Sequence, residues 1–225
     1  MRDTTQDNSR GTAGANSTQP FDQLFSPLVE RAMRWAARSH RDHHRKASDL
    51  PYISHPASVA IILLRVGLCD DEVLAAALLH DVVEDTDCSL ETLSEHFSPR
   101  VVELVAAVTE RKRDADGHKR SWTERKTEHI EHIAAARFEA RAITLADKLH
   151  NLGSMLFDLE CEEELWSRFR ATPDQIIGYH RSIVMAATQD DPRLVTLAEQ
   201  CRLLIDRLEA AATGSSPART GQPDG

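Results

Sequence analysis

A chain of 225 residues is long enough for one sizeable hydrophobic core and short for two. Hydrophobic residues make up 41% and charged residues 28%, an ordinary balance for a globular protein. With 36 Asp and Glu against 27 Lys and Arg, the chain is not held to nucleic acid by bulk charge, although a local basic patch suffices for a small anion.

Residues 1–20 carry almost no large apolar side chain and read as a disordered tail without the apolar stretch of a secretory signal. Residues 21–211 read as one all-α domain, because apolar spacing is helical and strand signals are scarce. Leu28, Ala32, Trp35 and Ala36 mark a first helix. The basic segment Ser39 to Lys46 follows, and then PYISHP (51–56). Pro56 suits the first turn of a second helix, which Gly67 closes. Asp70 caps a third, very apolar helix that is expected to run on through LLHDVVEDT (78–86). Short helices are predicted from Ser89 and over Pro99 to Val108, and the polar stretch Glu110 to Arg120 reads as a flexible loop. Helices resume over 122–136, 139–159, 173–187 and 192–211, and 212–225 reads as a second tail. No run is long and apolar enough to span a bilayer. The four cysteines, Cys69, Cys88, Cys161 and Cys201, are scattered and read as reduced thiols, so a cytoplasmic location is expected.

A helix that is apolar nearly all round belongs inside a protein. This one nevertheless carries His80, Asp81, Glu84 and Asp85. Burying one unpaired carboxylate raises its pKa by ~3–5 units, which is strongly destabilising near neutral pH. Residues four apart share a helix face, so His80 pairs with Glu84 and Asp81 with Asp85. A divalent cation between His80 and Asp81 would offset the carboxylates and keep the imidazole neutral. More ligands are needed, and two candidates stand out. One is His55 in PYISHP. The other is Asp147 in AITLADKLHNLGSML (142–156), where Asp147, Asn151 and Ser154 form a polar stripe beside the apolar stripe Ala142, Leu145, Leu149, Leu152 and Leu156. Two His and two Asp suit Mn, Fe or Zn. An isolated His-Asp pair is ordinarily a hydrogen bond or a surface feature; the full set inside apolar helices is far more specific.

PYISHP, AALLHDVVEDT and LADKLHN, in that order, resemble the HD-domain hydrolase of the RelA/SpoT family, and most closely its small stand-alone hydrolases, over residues 26–190. The resemblance implies an all-α HD-domain helical bundle with a buried metal site and one Mn2+ ion per chain. It implies removal of the 3′-pyrophosphate from ppGpp or pppGpp, leaving GDP or GTP and pyrophosphate. It makes His55, His80, Asp81 and Asp147 the metal ligands, and Glu84 and Asp85 the pair that orients and deprotonates the attacking water. It also places Arg45 and Lys46 at the base and phosphates, and Asn151 at the sugar with Ser154 nearby. WTERK (122–126) resembles a stretch of the same hydrolases and puts Arg125 and Lys126 at the 5′-phosphates, with Trp122 read as a packing anchor. Leu165 to Phe169 and Gly178 to Arg181 are read as capping the core, with Trp166 and Phe169 buried. His129 and His132 are read as a surface pair.

The expected partner is a small nucleotide, with no nucleic acid and no membrane, and the sequence assigns no oligomeric state. Two other readings are open: the same chemistry on ppApp or on the 2′-phosphate of NADPH, and a non-catalytic nucleotide sensor. The Glu84–Asp85 pair argues against the sensor, because a pure binder need not keep buried acids.

Overall fold

The computed structural model describes residues 24–46, 49–114, 116–161, 166 and 169–213. Short polar residues start most of its helices by accepting from otherwise orphaned amides. Ser26 caps α1 (Pro27–Ser39), and α2 (Ser54–Arg65) follows the turn at Pro51 to Ile53. The Asp70 carboxylate accepts from the amides of Glu72 and Val73 to open α3 (Asp71–Leu79), which precedes the one-turn α4 (Val82–Asp85). Ser89 caps α5 (Leu90–Ser94) and Ser98 caps α6 (Pro99–Val108). Ser121 with Glu124, and Thr172 with Gln175, form reciprocal capping boxes at α7 (Trp122–Ala134) and α9 (Pro173–Thr188). Between them lies the long α8 (Phe138–Cys161). A 3₁₀ turn (Pro192–Leu194), opened by Asp191, leads into α10 (Val195–Ala212). Among the described residues there is no strand, only isolated bridges at His44–Pro51 and Arg113–Lys119. The all-α expectation holds. No helix among them is long and apolar enough to cross a membrane.

Every residue of α3 from Val73 to Leu79 is buried, which is why this stretch shows no polar face in the sequence. It packs against α1, α2 and α6. The other spine is α8, which packs against α2, α6, α9 and α10. Ala142, Leu145, Leu152 and Leu156 face the core as expected, whereas Leu149 is only partly buried. Gly67 takes φ +84° just after α2, a backbone region that glycine enters without steric cost.

Several expectations need correction. The apolar helix does not run unbroken through LLHDVVEDT: it stops at Leu79, and Asp81 sits at φ −94°, ψ −7° before α4 resumes. His80 and Asp81 both remain in the right-handed helical region across the break. Among the described residues the stretch 110–120 forms no helix, as expected, and its turn is tied by hydrogen bonds. Arg113 donates to the Gly117 carbonyl, and the Asp114 carboxylate accepts from the amides of Asp116 and His118. His129 and His132 are not a surface pair, since His129 is buried. Trp166 and Phe169 are half-buried, and one face of the Phe169 ring receives the Lys46 ammonium, 4.8 Å from the centroid. Ala212 belongs to α10, and the expected tails otherwise lie outside the described residues apart from Thr213. Leu165, Ser167 and Arg168 also lie outside them.

His129 and His180 are buried, with no hydrogen-bond partner at Nδ1 among the described residues. Burial, reinforced by the Lys148 charge, holds their pKa values down to about 4 and about 3. The unfolded chain therefore binds protons from about pH 6.5 downward while the folded chain refuses them, so stability is full above that pH and falls as acid is added. We expect the denaturation midpoint to fall between pH 6.5 and pH 5, with a shallower slope in His180→Asn by at most about 1.4 kcal/mol per pH unit. An unchanged slope in that variant would show that His180 does not contribute.

Candidate active site

Three separate chain segments bring the candidate ligands together. His55 stands in the first turn of α2, His80 and Asp81 occupy the break between α3 and α4, and Asp147 lies mid-way along α8. His80 Nε2 is 3.0 Å from Asp81 Oδ2 and 3.8 Å from Asp147 Oδ1. His55 Nε2 is 3.1 Å from Asp147 Oδ1 and 3.4 Å from Asp81 Oδ2. One ligand atom from each of His55, His80 and Asp147 lies within 4.8 Å of the others. All three of those residues are buried, and the Asp81 side chain is only 15% exposed. Burial opposes charge on both carboxyls. His80 and His55 nevertheless hold Asp81 well below the usual carboxylate range, as Lys148 and the same imidazoles do for Asp147.

This cluster fits a divalent cation on its own geometry. His80 Nε2 is buried beside the two carboxylates, yet it has no hydrogen-bond partner among the described residues. Its Nδ1 lies 2.8 Å from the Ala77 carbonyl oxygen, which can only accept, so Nδ1 carries a proton. Despite burial, the Asp81 and Asp147 charges favour a second proton at Nε2, which a bound cation would displace to take the lone pair. His55, His80 and Asp147 supply mutually close nitrogen and oxygen donors, and Asp81 Oδ2 adjoins both imidazoles, so the donor set is of nitrogen and oxygen.

Glu84 and Asp85 flank the cluster from α4. Glu84 Oε2 accepts from the Glu110 amide at 3.1 Å, and Lys112 Nζ lies 3.4 Å from Oε1. Burial and the Asp81 charge push the Glu84 pKa up to about 7, which suits a carboxylate that takes a proton near neutrality. Asp85 pairs with Lys112 and accepts from the Tyr52 hydroxyl at 3.3 Å. The same hydroxyl donates to Asp81 at 2.6 Å. Arg38, Arg41, Thr86 and Asp87 line an open polar cleft of about 490 Å³ beside Glu84 and Asp85.

The residues expected to face substrate fall into two groups. Arg45 Nη2 donates to Asn151 Oδ1 at 3.0 Å, and Asn151 Nδ2 donates to Asp147 Oδ1 at 2.6 Å, which ties the basic segment to the cluster. Lys46 lies over Phe169, and Ser154 is half-buried on α8. Arg125 and Lys126, by contrast, both pair with the buried Glu110. Lys126 also lies over the Tyr179 ring, 4.4 Å from its centroid, and Trp122 meets the same ring edge-on.

Contributors besides His150 also escaped the sequence reading. Tyr52 and Lys148 sit inside the quoted motifs, where their nearness to His55 and Asp147 was the available signal. Lys148 Nζ lies 2.5 Å from Asp147 Oδ2, which more than offsets burial and holds the ammonium above the usual lysine range. Lys112 and Glu110 belong to a stretch with no periodic pattern, so nothing local pointed to them.

Comparison with known proteins identifies the family to which this fold belongs. A model of the HD domain matches residues 32–167. The guanosine-3′,5′-bis(diphosphate) 3′-pyrophosphohydrolase MESH1 of Danio rerio is 39% identical over 145 residues, covering 64% of this chain and 76% of that protein. Its Homo sapiens counterpart is 41% identical over 145 residues, covering 64% and 75%. A solved structure of a metazoan ortholog of SpoT that hydrolyses ppGpp is similar with a TM-score of 0.66 and 30% identity, covering 81% of this chain and 96% of that one.

The Glu110 side chain is only 4% exposed and faces two cations. Glu110→Gln leaves both without a counter-charge and should lower stability by about 2 kcal/mol or more. The expected readout is a lower urea midpoint at unchanged slope. An unchanged midpoint would mean that the ion-pair cluster does not hold α7 in place.

Proposed function

The chain belongs to the HD-domain family, and from that membership we propose that it hydrolyses the 3′-pyrophosphate of ppGpp and pppGpp, releasing pyrophosphate and GDP or GTP. The observation that carries this reading is the buried cluster of His55, His80 and Asp147, with Asp81 against both imidazoles and Glu84 one turn beyond His80. The names of the MESH1 relatives and the SpoT ortholog supply the substrate class. His55, His80, Asp81 and Asp147 hold one divalent cation, which we assign as Mn2+ by resemblance to the RelA/SpoT hydrolases. When bound, such an ion polarises a phosphoryl oxygen and lowers the pKa of a water toward neutrality, from ~15.7 in bulk.

Glu84 accepts the proton of the attacking water. Asp85, held by Lys112 and Tyr52, orients that water. The water oxygen bonds to the phosphorus attached to ribose O3′, the P–O3′ bond breaks, and O3′ leaves as a hydroxyl after taking up a proton. Arg45, Lys46 and Asn151 form the nucleotide-facing side, with Ser154 beside them on α8. Arg125 and Lys126 receive the 5′-phosphates by exchanging part of their contact with Glu110 for contact with substrate. Such charge-assisted bonds to phosphate are stronger than neutral ones.

A substrate panel of ppGpp, pppGpp, ppApp and NADPH on metal-stripped, Mn2+-reconstituted protein tests the reading. Mn2+-dependent release of GDP and pyrophosphate from ppGpp is expected. Turnover of ppApp or NADPH alone would keep the chemistry and displace the substrate, and silence on all four with metal bound would favour a nucleotide sensor. Asp81→Asn should lose metal and activity together, and full metal content in that variant would remove Asp81 from the ligand set. Glu84→Gln should keep its metal and lose turnover by ~100-fold or more, the usual scale for a general base. Near-normal turnover would take Glu84 out of the mechanism.

A further inference from the structure

Two imidazoles meet behind the ligand cluster. His55 Nδ1 lies 2.8 Å from His150 Nδ1, with the ring centroids 4.8 Å apart. The other nitrogen of His55, Nε2, is the one that faces Asp147 and Asp81. A neutral imidazole carries a single proton, so a ring that offers a lone pair at Nε2 must keep its proton at Nδ1. The proton needs an acceptor, because a buried donor left unpaired costs free energy. His150 Nδ1 is that acceptor, provided that His150 carries its own proton at Nε2.

His80 meets the same requirement in a different way, through the Ala77 carbonyl 2.8 Å from its Nδ1. A carbonyl has no alternative state, so the His80 tautomer is settled by the backbone of α3. For His55 the choice rests with a side chain. His150 stands three residues after Asp147 on α8, so the two lie one above the other on neighbouring turns. One helix thus contributes a ligand of its own and addresses a ligand on α2.

We infer that His150 is the positioning residue that fixes the Nδ1–H tautomer and ring orientation of His55, and so readies His55 Nε2 to bind the cation. This rests on the metal-centre reading proposed above. Partners of this kind, one bond removed from the ion, typically change metal affinity by ~10–100-fold when they are lost.

The test measures free Mn2+ by electron paramagnetic resonance during titration of the full chain, as wild type, His150→Leu and His150→Gln. His150→Leu cannot accept a proton and should bind Mn2+ ~10–100-fold more weakly, while His150→Gln, whose side-chain oxygen accepts, should stay within about threefold of wild type. Wild-type affinity in a folded His150→Leu would overturn the inference and leave the metal centre intact. A wild-type chain that takes up neither Mn2+, Fe2+ nor Zn2+ would overturn the metal centre and the inference together. Should His150→Leu fail to fold, long-range ¹⁵N–¹H correlation on the Zn2+-loaded wild type decides the matter. It should show His55 protonated at Nδ1 and His150 at Nε2, and the opposite pattern at either ring would refute the assignment.

Discussion

Two carboxylates buried among apolar helices set the terms for everything around them. Asp81 and Asp147 each lose most of their hydration, and an isolated charge in that position is not tolerated without a partner. The neighbouring groups answer this requirement in layers. His55 and His80 face the acids directly, Tyr52 donates to Asp81, Asn151 donates to Asp147, and Lys148 pairs with Asp147. The proposed cation would complete the set by giving both imidazole lone pairs and both carboxylates one positive centre.

The backbone gives way where this requirement is strongest. The helical ladder is interrupted between α3 and α4, beside the two candidate ligands that this segment supplies. Asp81 sits at φ −94°, ψ −7°, and Asp85 donates its amide to the Asp81 carbonyl at 2.9 Å to open α4. The two spines are placed to match. α3 delivers His80 and Asp81 at its end, α8 delivers Asp147 at its middle, and α2 lies against both and delivers His55 from its first turn.

A second ring of charges carries the same logic outward. Glu110 is buried between Arg125 and Lys126, and its amide donates to Glu84, so the base of the 110–120 stretch links α7 to the proposed proton acceptor. Lys112 reaches Asp85 and Glu84 from the same stretch. Arg125 and Lys126, which the resemblance assigns to the 5′-phosphates, are therefore already balanced by an acid of the protein. A bound nucleotide would compete with that acid for them, so its affinity reports the difference between two ion pairings and not a simple gain.

How much of this was legible in the sequence depended on distance along the chain. Capping residues, apolar spacing and proline placement act within one or two turns, so the helices could be read with small errors at their ends, as at α7 and α10. Polar residues in an apolar run announce a site wherever they occur, which is why His80, Asp81, Glu84, Asp85 and Asp147 stood out together. The family likewise follows from motif order alone, and the HD-domain match over residues 32–167 bears that out. What only the tertiary structure decided was pairing across the chain: His55 with His150, 95 residues apart, Arg45 with Asn151, 106 apart, and Glu110 with Arg125 and Lys126 across a turn of no regular pattern. The break at Asp81 belongs with these, since the local sequence predicts a continuous helix and the packed chain interrupts it. Periodicity states which face of a helix is apolar. Which polar groups meet once those faces are buried is a property of the packed whole.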